Sequence, residues 1–224
     1  MVTPLPSPQT QVGLQVFLRL VQDPTALEGV FDLAAGLRGS DVLNASGAYI
    51  LDLPGVADLV TDRYLAPHPD LDALSQLPPA SLGYAYATHL RAAHLDPDFY
   101  PPVAVVDVGT YLALRMRQTH DIWHTVTGFG TNGLGEIGLQ AFTLGQQRAP
   151  LAVLITAATL LNAILQGEPL TPLMAVIQQG YDLGTTARPF LAQKWELAWE
   201  KPLAQWRADL GIPAAGVGSG EDLA

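Results

Sequence analysis

Two histidines and two carboxylates occur within one short stretch of the sequence, RMRQTHDIWHTVTGFGTNGLGEIGLQAF, at residues 115–142. His120 and His124 are four residues apart, so their imidazoles share one face of a helix. Asp121 lies beside that face, and Glu136 follows a glycine-rich turn. A tight helix–turn–helix would direct Glu136 back toward the histidines. Imidazole nitrogens and carboxylate oxygens are ligands of divalent metals, so the pattern predicts a metal site.

The spacing of the histidine pair is similar to the H-E-x-x-H pattern, in which two helical histidines bind one ion. The shorter side chain of Asp121 is better suited to ligation than to acting as a protease base. Four protein ligands would form a closed tetrahedral zinc site, whereas Mg, Mn, Fe(II) or Co with water would leave open positions. The alternative is a histidine pair that only packs in the core or lies on the surface.

Arg115 and Arg117 precede the histidine pair by about one turn. Arg117 shares the face of His120, where a guanidinium would clamp a carboxylate or phosphate of a ligand. An ion pair with a neighbouring helix is the alternative role for this arginine.

Other catalytic motifs fit less well. The GFGTNG turn lacks the lysine of a phosphate loop, and no G-x-S-x-G nucleophile elbow is present. A phosphohydrolase of the HD type would need a further upstream histidine and a distal aspartate. His89 or His94 could be the upstream histidine and Asp182 the distal aspartate, so this alternative stays open.

The elements that must position these residues are helices. Asp107 is placed to cap a helix over residues 108–127, and Asn132 to cap one over residues 133–147. Apolar periodicity predicts further helices in the remaining chain, and period-two alternation is nearly absent. We expect a single all-α domain of about nine helices. The predicted helices cover residues 10–21, 24–38, 53–64, 70–77, 81–95, 108–127, 133–147, 151–165, 172–186 and 190–210, the last of them interrupted at Pro202. Two segments are candidates for strands, residues 48–53 and, more weakly, residues 103–108.

The predicted domain covers residues 10–212, between a flexible N-terminus at 1–9 and a disordered tail at 213–224. Residues 151–165 form the longest apolar stretch. As a helix it would rise about 22 Å, short of the roughly 30 Å hydrocarbon core of a bilayer. It is expected to be a core helix or, alternatively, to line a lipid pocket or contact a membrane.

The composition excludes several classes of protein. The 224 residues contain no cysteine, which excludes a disulfide framework and thiolate chemistry. Eleven basic against 21 acidic residues give a net charge of −10, which argues against nucleic acid as a partner. Only 14% of residues are charged, against about 25% in typical soluble domains. Neither a secretory nor a transit signal is expected at the N-terminus.

Several segments together resemble the fourth ubiquinone (coenzyme Q) biosynthesis protein family. The H-D-x-x-H motif, separated by eleven intervening residues from a Glu, is similar to the family's signature. SLGYAYATHL at 81–90, TNGLGEIGLQAF at 131–142 and ARPFLAQKWELAWEKPLAQWRADLGI at 187–212 resemble further family blocks. The resemblance covers residues 11–212.

The resemblance implies an all-α protein that binds a divalent metal, usually described as zinc. It also implies action on polyprenylated 4-hydroxybenzoate, by removal of the C1 carboxyl group with hydroxylation of that carbon. The alternative is a non-catalytic scaffold that binds prenyl lipids and organises a quinone-biosynthesis complex. The matching metal and catalytic residues are His120, Asp121, His124 and Glu136, and the matching head-group residues are Arg115 and Arg117.

A prenylated ligand requires an apolar groove. The predicted helices at 81–95, 151–165 and 172–186 are expected to line it, with Tyr84 and Tyr86 near the entrance. The resemblance further implies a homodimer, contact with other quinone-biosynthesis enzymes and peripheral association with the bacterial inner membrane from the cytoplasm. Because the net charge is −10, we expect membrane contact through an apolar helix or patch rather than a polybasic one.

Overall fold

In the computed structural model, which describes residues 8–24, 26–97 and 103–217, every regular element is a helix. Eleven α-helices and one short 3-10 helix occur in this part of the chain, and no strand does. The α-helices are α1 Pro8–Gln22, α2 Leu27–Gly36, α3 Asp41–Leu51, α4 Val56–Thr61, α5 Leu71–Leu74, α6 Leu82–Ala92, α7 Val108–Thr127, α8 Gly133–Gln147, α9 Pro150–Gln166, α10 Leu170–Thr186 and α11 Leu203–Leu210.

Helices α8 and α10 pack closely because glycines line their contact. A Cβ on Gly180 would lie 2.2 Å from the carbonyl oxygen of Gly138, and one on Gly184 would lie 2.3 Å from that of Phe142. Real Cβ atoms do not approach so closely. The absent side chains therefore allow the two backbones to touch, which gives α8 a close-packed support.

An aromatic cluster joins α7 to α8 and to the C-terminal segment. The rings of Trp123, Phe142 and Phe190 meet edge to face with centroids 4.8–5.8 Å apart. Trp195 extends the cluster from Phe190 to Trp206 at 5.3 and 4.6 Å. Edge-to-face contacts at these distances are favourable and directional. The cluster therefore fixes the rotation of α7 about its axis.

The prediction of an all-α domain of about nine helices is confirmed, since nine of the described α-helices have seven residues or more. The strand candidate at 48–53 was wrong. Residues 48–51 end α3, whose buried Ser46 and Ile50 have helical spacing and whose first turn is capped by Ser40. No strand forms at 103–108 either, because residues 103–107 are irregular and residue 108 begins α7.

The predicted helix over 190–210 is only partly helical. Residues 190–202 form turns around a 3-10 helix, Trp195–Leu197, and α11 begins after Pro202. The fully buried rings of Phe190 and Trp195 hold this irregular segment in the aromatic cluster. Tertiary packing of these rings thus overrides the helix that the apolar pattern predicted for residues 190–202.

The predicted mobile ends lie largely outside the described residues, which begin at Pro8 and end at Val217. Inside that range, Pro8 begins α1 and residues 213–217 pack against α7, so ordered structure extends past the boundary expected at residue 212. The Val217 N–H donates to the Thr127 carbonyl at 2.7 Å. Among the described helices, none is long and apolar enough to cross a membrane.

Candidate metal centre

The centre lies where α7 ends and α8 begins. Gly128 ends α7 in a left-handed conformation, with φ of 87°, which glycine adopts without strain. The Asn132 side chain accepts from the Gly135 N–H and caps α8, so Glu136 lies in its first turn. These local signals reverse the chain within five residues and bring Glu136 back toward His120 and His124.

Two further glycines let the turn lie directly on α8. A Cβ on Gly135 would lie 2.0 Å from the carbonyl oxygen of Gly130, and one on Gly138 would lie 2.5 Å from the ring of Phe129. Because neither Cβ exists, the Phe129 ring is buried against α8. Its carbonyl oxygen is thereby positioned 3.0 Å from Nδ1 of His124.

Three ligand atoms converge at this point. The Nε2 atoms of His120 and His124 are 3.3 Å apart. Glu136 places Oε1 3.2 Å from Nε2 of His124 and Oε2 3.6 Å from Nε2 of His120. The His124 side chain is fully buried, whereas those of His120 and Glu136 are 19% and 40% exposed. The cluster is therefore open to solvent on one side.

This donor set fits a divalent metal. Ligand atoms bound to one tetrahedral ion at roughly 2.0–2.1 Å lie about 3.4 Å from each other, close to the observed separations. His124 Nδ1–H can donate to the Phe129 carbonyl, which leaves the Nε2 lone pair directed at the cluster. Metal-binding histidines are commonly oriented in this way. The residues present therefore suit a cation held by two imidazoles and a carboxylate.

The charged groups of the cluster stabilise one another's ionised forms. Burial alone would raise the pKa of Glu136, but its hydrogen bonds to His120 and His124 and their positive charges lower it to about 2. Burial alone would lower the pKa of His120, but the hydrogen bond and charge of Glu136, aided by Asp121, raise it. In the metal-free protein the Glu136 carboxylate therefore favours a proton on His120.

Asp121 is not among the described residues whose ligand atoms converge. Its charge acts on the neighbouring His89 of α6, whose ring stacks on that of His124 with centroids 6.2 Å apart. Burial, followed by the nearby His124, lowers the pKa of His89. The role of Asp121 as a fourth ligand stays a prediction.

Arg115 lies in a buried ion pair. Its guanidinium donates to both carboxylate oxygens of Glu196 at 3.0 and 3.3 Å, and both side chains are at most 3% exposed. It also donates to Gln118 Oε1 at 2.9 Å and to the Gln193 carbonyl at 3.3 Å, and it lies 5.1 Å from the centre of the Tyr64 ring. In this conformation Arg115 ties α7 to the C-terminal segment, and its contact with a ligand head group stays a prediction.

The remaining predicted site residues are Arg117, Tyr84 and Tyr86, and none of them belongs to the converging set. The Arg117 guanidinium is 5.4 Å from the centre of the Phe31 ring on α2. Tyr86 is only 3% exposed and packs on Trp199, so it lies inside the protein rather than at an entrance. Tyr84 is half-buried in the first turn of α6. Contacts of these three residues with a ligand stay predictions.

The sequence interpretation missed three groups: the Phe129 carbonyl, Glu196 and His89 as a neighbour of the centre. A glycine on each side of Phe129 signals a backbone that approaches closely, which was the available clue to the first. Glu196 lies in the Trp-Glu pair of the closing segment, but no local pattern assigns it to Arg115. His89 was considered only as part of an alternative phosphohydrolase site.

Fold and site together define an all-helical protein with a candidate two-histidine, one-carboxylate metal centre. The family model described as coenzyme Q (ubiquinone) biosynthesis protein Coq4 matches residues 60–215. The chain therefore belongs to the Coq4 family, as its sequence resemblance predicted.

Individual relatives agree with this assignment. The mitochondrial ubiquinone biosynthesis protein COQ4 of Eremothecium gossypii is 32% identical over 180 residues, which are 79% of this chain and 53% of that protein. The Rattus norvegicus mitochondrial homologue is 34% identical over 146 residues, 64% of this chain and 54% of that protein. The chain thus spans about half the length of these curated relatives.

A solved structure is also similar over most of its length. It is a putative ubiquinone biosynthesis protein from Nostoc punctiforme, 32% identical, with a TM-score of 0.80. The match covers 90% of this chain and 97% of that one. The arrangement of helices is therefore shared with a bacterial relative.

Proposed function

We propose that this protein acts in ubiquinone biosynthesis at a divalent metal centre, where the C1 carboxyl group of a polyprenylated 4-hydroxybenzoate is removed and that carbon is hydroxylated. The observation that carries the proposal is the convergence of His120, His124 and Glu136, with ligand atoms 3.2–3.6 Å apart. Membership of the Coq4 family supports a role in ubiquinone biosynthesis. The three converging side chains support a bound metal, which would stabilise negative charge on the aromatic ring.

Zinc is the metal that we propose, with Mg, Mn, Fe and Co as alternatives for the test. A divalent cation held there supplies Lewis-acid stabilisation of negative charge on the ring. His120, His124 and Glu136 hold it, and the Phe129 carbonyl orients His124. We keep Asp121 as a proposed fourth ligand and Arg117 as the proposed partner of the carboxyl group. Replacing carboxyl by hydroxyl also requires an oxidant, for which we propose dioxygen with an external electron donor.

The proposed prenyl-binding surface is the exposed part of α9 and α10. Val153, Leu161, Ile164 and Leu165 of α9 are 43–69% exposed, although apolar. An open depression of about 570 Å³ lies on α10. Its apolar lining residues are Leu170, Met174, Ala175, Ile177 and Tyr181. Exposed apolar patches commonly mark lipid or partner contacts, which supports peripheral association with a bacterial inner membrane.

The same surface favours a second candidate function, a non-catalytic scaffold that presents prenylated intermediates to partner enzymes. In that case the metal would be structural. The two functions differ in what the isolated protein does: a scaffold binds the prenylated acid unchanged, whereas an enzyme consumes it.

The test is a turnover assay on the purified full chain, loaded separately with each candidate metal and with metal content measured. We expect carbon dioxide and a hydroxylated prenyl product from prenylated 4-hydroxybenzoate in the presence of dioxygen and a reductant. Glu136→Gln should abolish product formation, while the exposed Glu168→Gln should not. Unchanged substrate with folded, metal-loaded protein would refute catalysis, and tight binding of that substrate would then support the scaffold.

A further inference from the structure

A third histidine lies against the metal centre without belonging to the predicted ligand set. The ring of His89, on α6, is inclined by only 26° to that of His124, with centroids 6.2 Å apart. The charges of Asp121 on α7 and Glu136 on α8 both act on it. His89 of α6 thus lies beside the cluster that residues of α7 and α8 form.

The Nε2 atom of His89 is buried and has no hydrogen-bond partner. Such an atom is costly, because it has lost its bonds to water without gaining others. A phenylalanine would fill similar space without this cost. Six such atoms occur in the described part of the chain, and the Nε2 of His89 is distinguished by its place on a ring that stacks against the candidate ligand His124.

The chemistry of the surroundings indicates which ligand group would bind there. Glu136 already brings negative charge to the centre, and Arg115 is committed to Glu196. The imidazole of His89 offers a hydrogen bond to a carboxylate or phenol oxygen. Because Nε2 is buried in this conformation, the bond requires a rearrangement of side chains when the ligand binds.

We propose that His89 is a further substrate-contacting residue, whose Nε2 hydrogen-bonds an oxygen of an aromatic hydroxy acid held at the centre. This inference rests on the proposed function, since it requires both a metal and an aromatic acid at the site. It assigns to α6 a direct part in recognising the head group.

The test uses the full chain and Co²⁺, whose binding is followed by absorbance, with 4-hydroxybenzoate bearing a geranyl chain as the probe. His89→Phe removes the hydrogen bond and retains the ring, His89→Gln retains a polar end, and His68→Phe removes an exposed histidine as the control. Three quantities are measured for each: Co²⁺ affinity, the Kd of the probe on Co²⁺-loaded protein, and the Tm of the metal-free protein.

We expect His89→Phe to weaken probe binding about tenfold, the effect of losing roughly one hydrogen bond, while Co²⁺ affinity stays within about threefold. The metal-free Tm should rise by roughly 3 °C, because the unpartnered atom is gone. His89→Gln should recover part of the probe affinity, and His68→Phe should match the unmodified protein. If His89→Phe does not fold, His89→Gln compared with His89→Ala carries the same comparison.

Equal probe affinity in His89→Phe and the unmodified protein would overturn the inference while leaving the proposed function intact. A loss of Co²⁺ affinity in His89→Phe as large as that in Glu136→Gln would also overturn it, since His89 would then support the metal itself. Failure of the unmodified protein to bind Co²⁺ would refute the proposed metal centre, and this inference with it.

Discussion

Two clusters of charged side chains lie on α7, little more than one turn apart. They differ in how deeply they are buried and in how their charges are paired. Arg115 and Glu196 are almost fully buried, and the guanidinium and carboxylate are paired through two hydrogen bonds. In the other cluster, His120 and His124 meet Glu136 at a point that is partly open to solvent.

This difference indicates that the Arg115–Glu196 pair is structural, whereas His120, His124 and Glu136 form a candidate ligand set. In the Arg115 cluster two guanidinium nitrogens donate to the two carboxylate oxygens of Glu196, so the opposite charges are paired within the protein. At the metal centre two imidazole nitrogens and a carboxylate, all able to donate electron pairs, turn toward one another. Such an arrangement gains stability from a proton or a metal cation.

The largest effect is expected from breaking the buried pair. Arg115→Ala would leave Glu196 buried without its partner, which typically costs about 3–5 kcal/mol of unfolding free energy. Urea denaturation followed by circular dichroism measures the loss. The exposed Arg91→Ala, which removes the ion pair with Asp72, should cost less than about 1 kcal/mol.

A double variant sharpens the first prediction. Arg115→Met combined with Glu196→Met removes both charges and should recover most of the lost stability, because no unpaired charge is left. If Arg115→Ala were as stable as the unmodified protein yet lost affinity for an aromatic acid, Arg115 would be a ligand residue after all, as its position in the sequence first suggested.

The metal centre should respond in the opposite way to Glu136→Gln. Metal affinity should fall at least about 100-fold, equivalent to about 2.7 kcal/mol, because a charged ligand becomes neutral. The metal-free free energy of unfolding should change much less than in Arg115→Ala, since Glu136 is partly exposed. Competition with a zinc-sensitive dye measures the affinity, with Glu168→Gln as the control. Unchanged affinity would show that the metal, if bound, lies elsewhere.

The convergence of His120, His124 and Glu136 was largely predictable because the signals for it are local. The four-residue histidine spacing, the caps Asp107 and Asn132 and the left-handed Gly128 all act within one or two turns of the residues that they position. Both helices accordingly begin and end where the sequence indicated. The convergence of His120, His124 and Glu136 followed from that short connection.

The Arg115 cluster could not be predicted in the same way, because its partners are far apart in the chain. Glu196 follows Arg115 by 81 residues and lies in a segment whose irregular shape depends on the buried Phe190 and Trp195. Spacing alone left Arg115 as a head-group residue. The strand candidate at 48–53 failed for a related reason, since burial of Ile50 in α3 reflects tertiary packing.

The metal-free centre should also have a characteristic pH dependence. His120 has a raised pKa, so its stabilising contribution is full below about 6.5 and is lost as pH rises through the raised value. Glu136 has a pKa lowered to about 2, so its contribution is full above about 4.5 and is lost as pH falls toward 2. The cluster should therefore stabilise the metal-free protein most between about pH 4.5 and 6.5.

Thermal denaturation at a series of pH values, with and without chelator, measures this profile. Metal affinity should rise with pH through the pKa of His120, because the metal displaces its proton. Between about pH 4.5 and 6.5 the Glu136→Gln variant should be less stable than the unmodified protein. Outside this window the two proteins should have similar free energies of unfolding. A profile identical in both proteins would contradict the proton-sharing cluster.

The smallest effect tests whether local stability and metal binding are coupled. Asn132 caps α8 one turn before Glu136, and Ser40 caps α3 in the same way. Replacing either by Ala should cost about 1 kcal/mol of unfolding free energy, since one helix N–H loses its acceptor. Only Asn132→Ala should also weaken metal binding, by about threefold to tenfold, because fraying of the first turn of α8 displaces Glu136. Equal metal affinity in the two variants would show that the close packing of α8 on α10 alone holds this ligand in place.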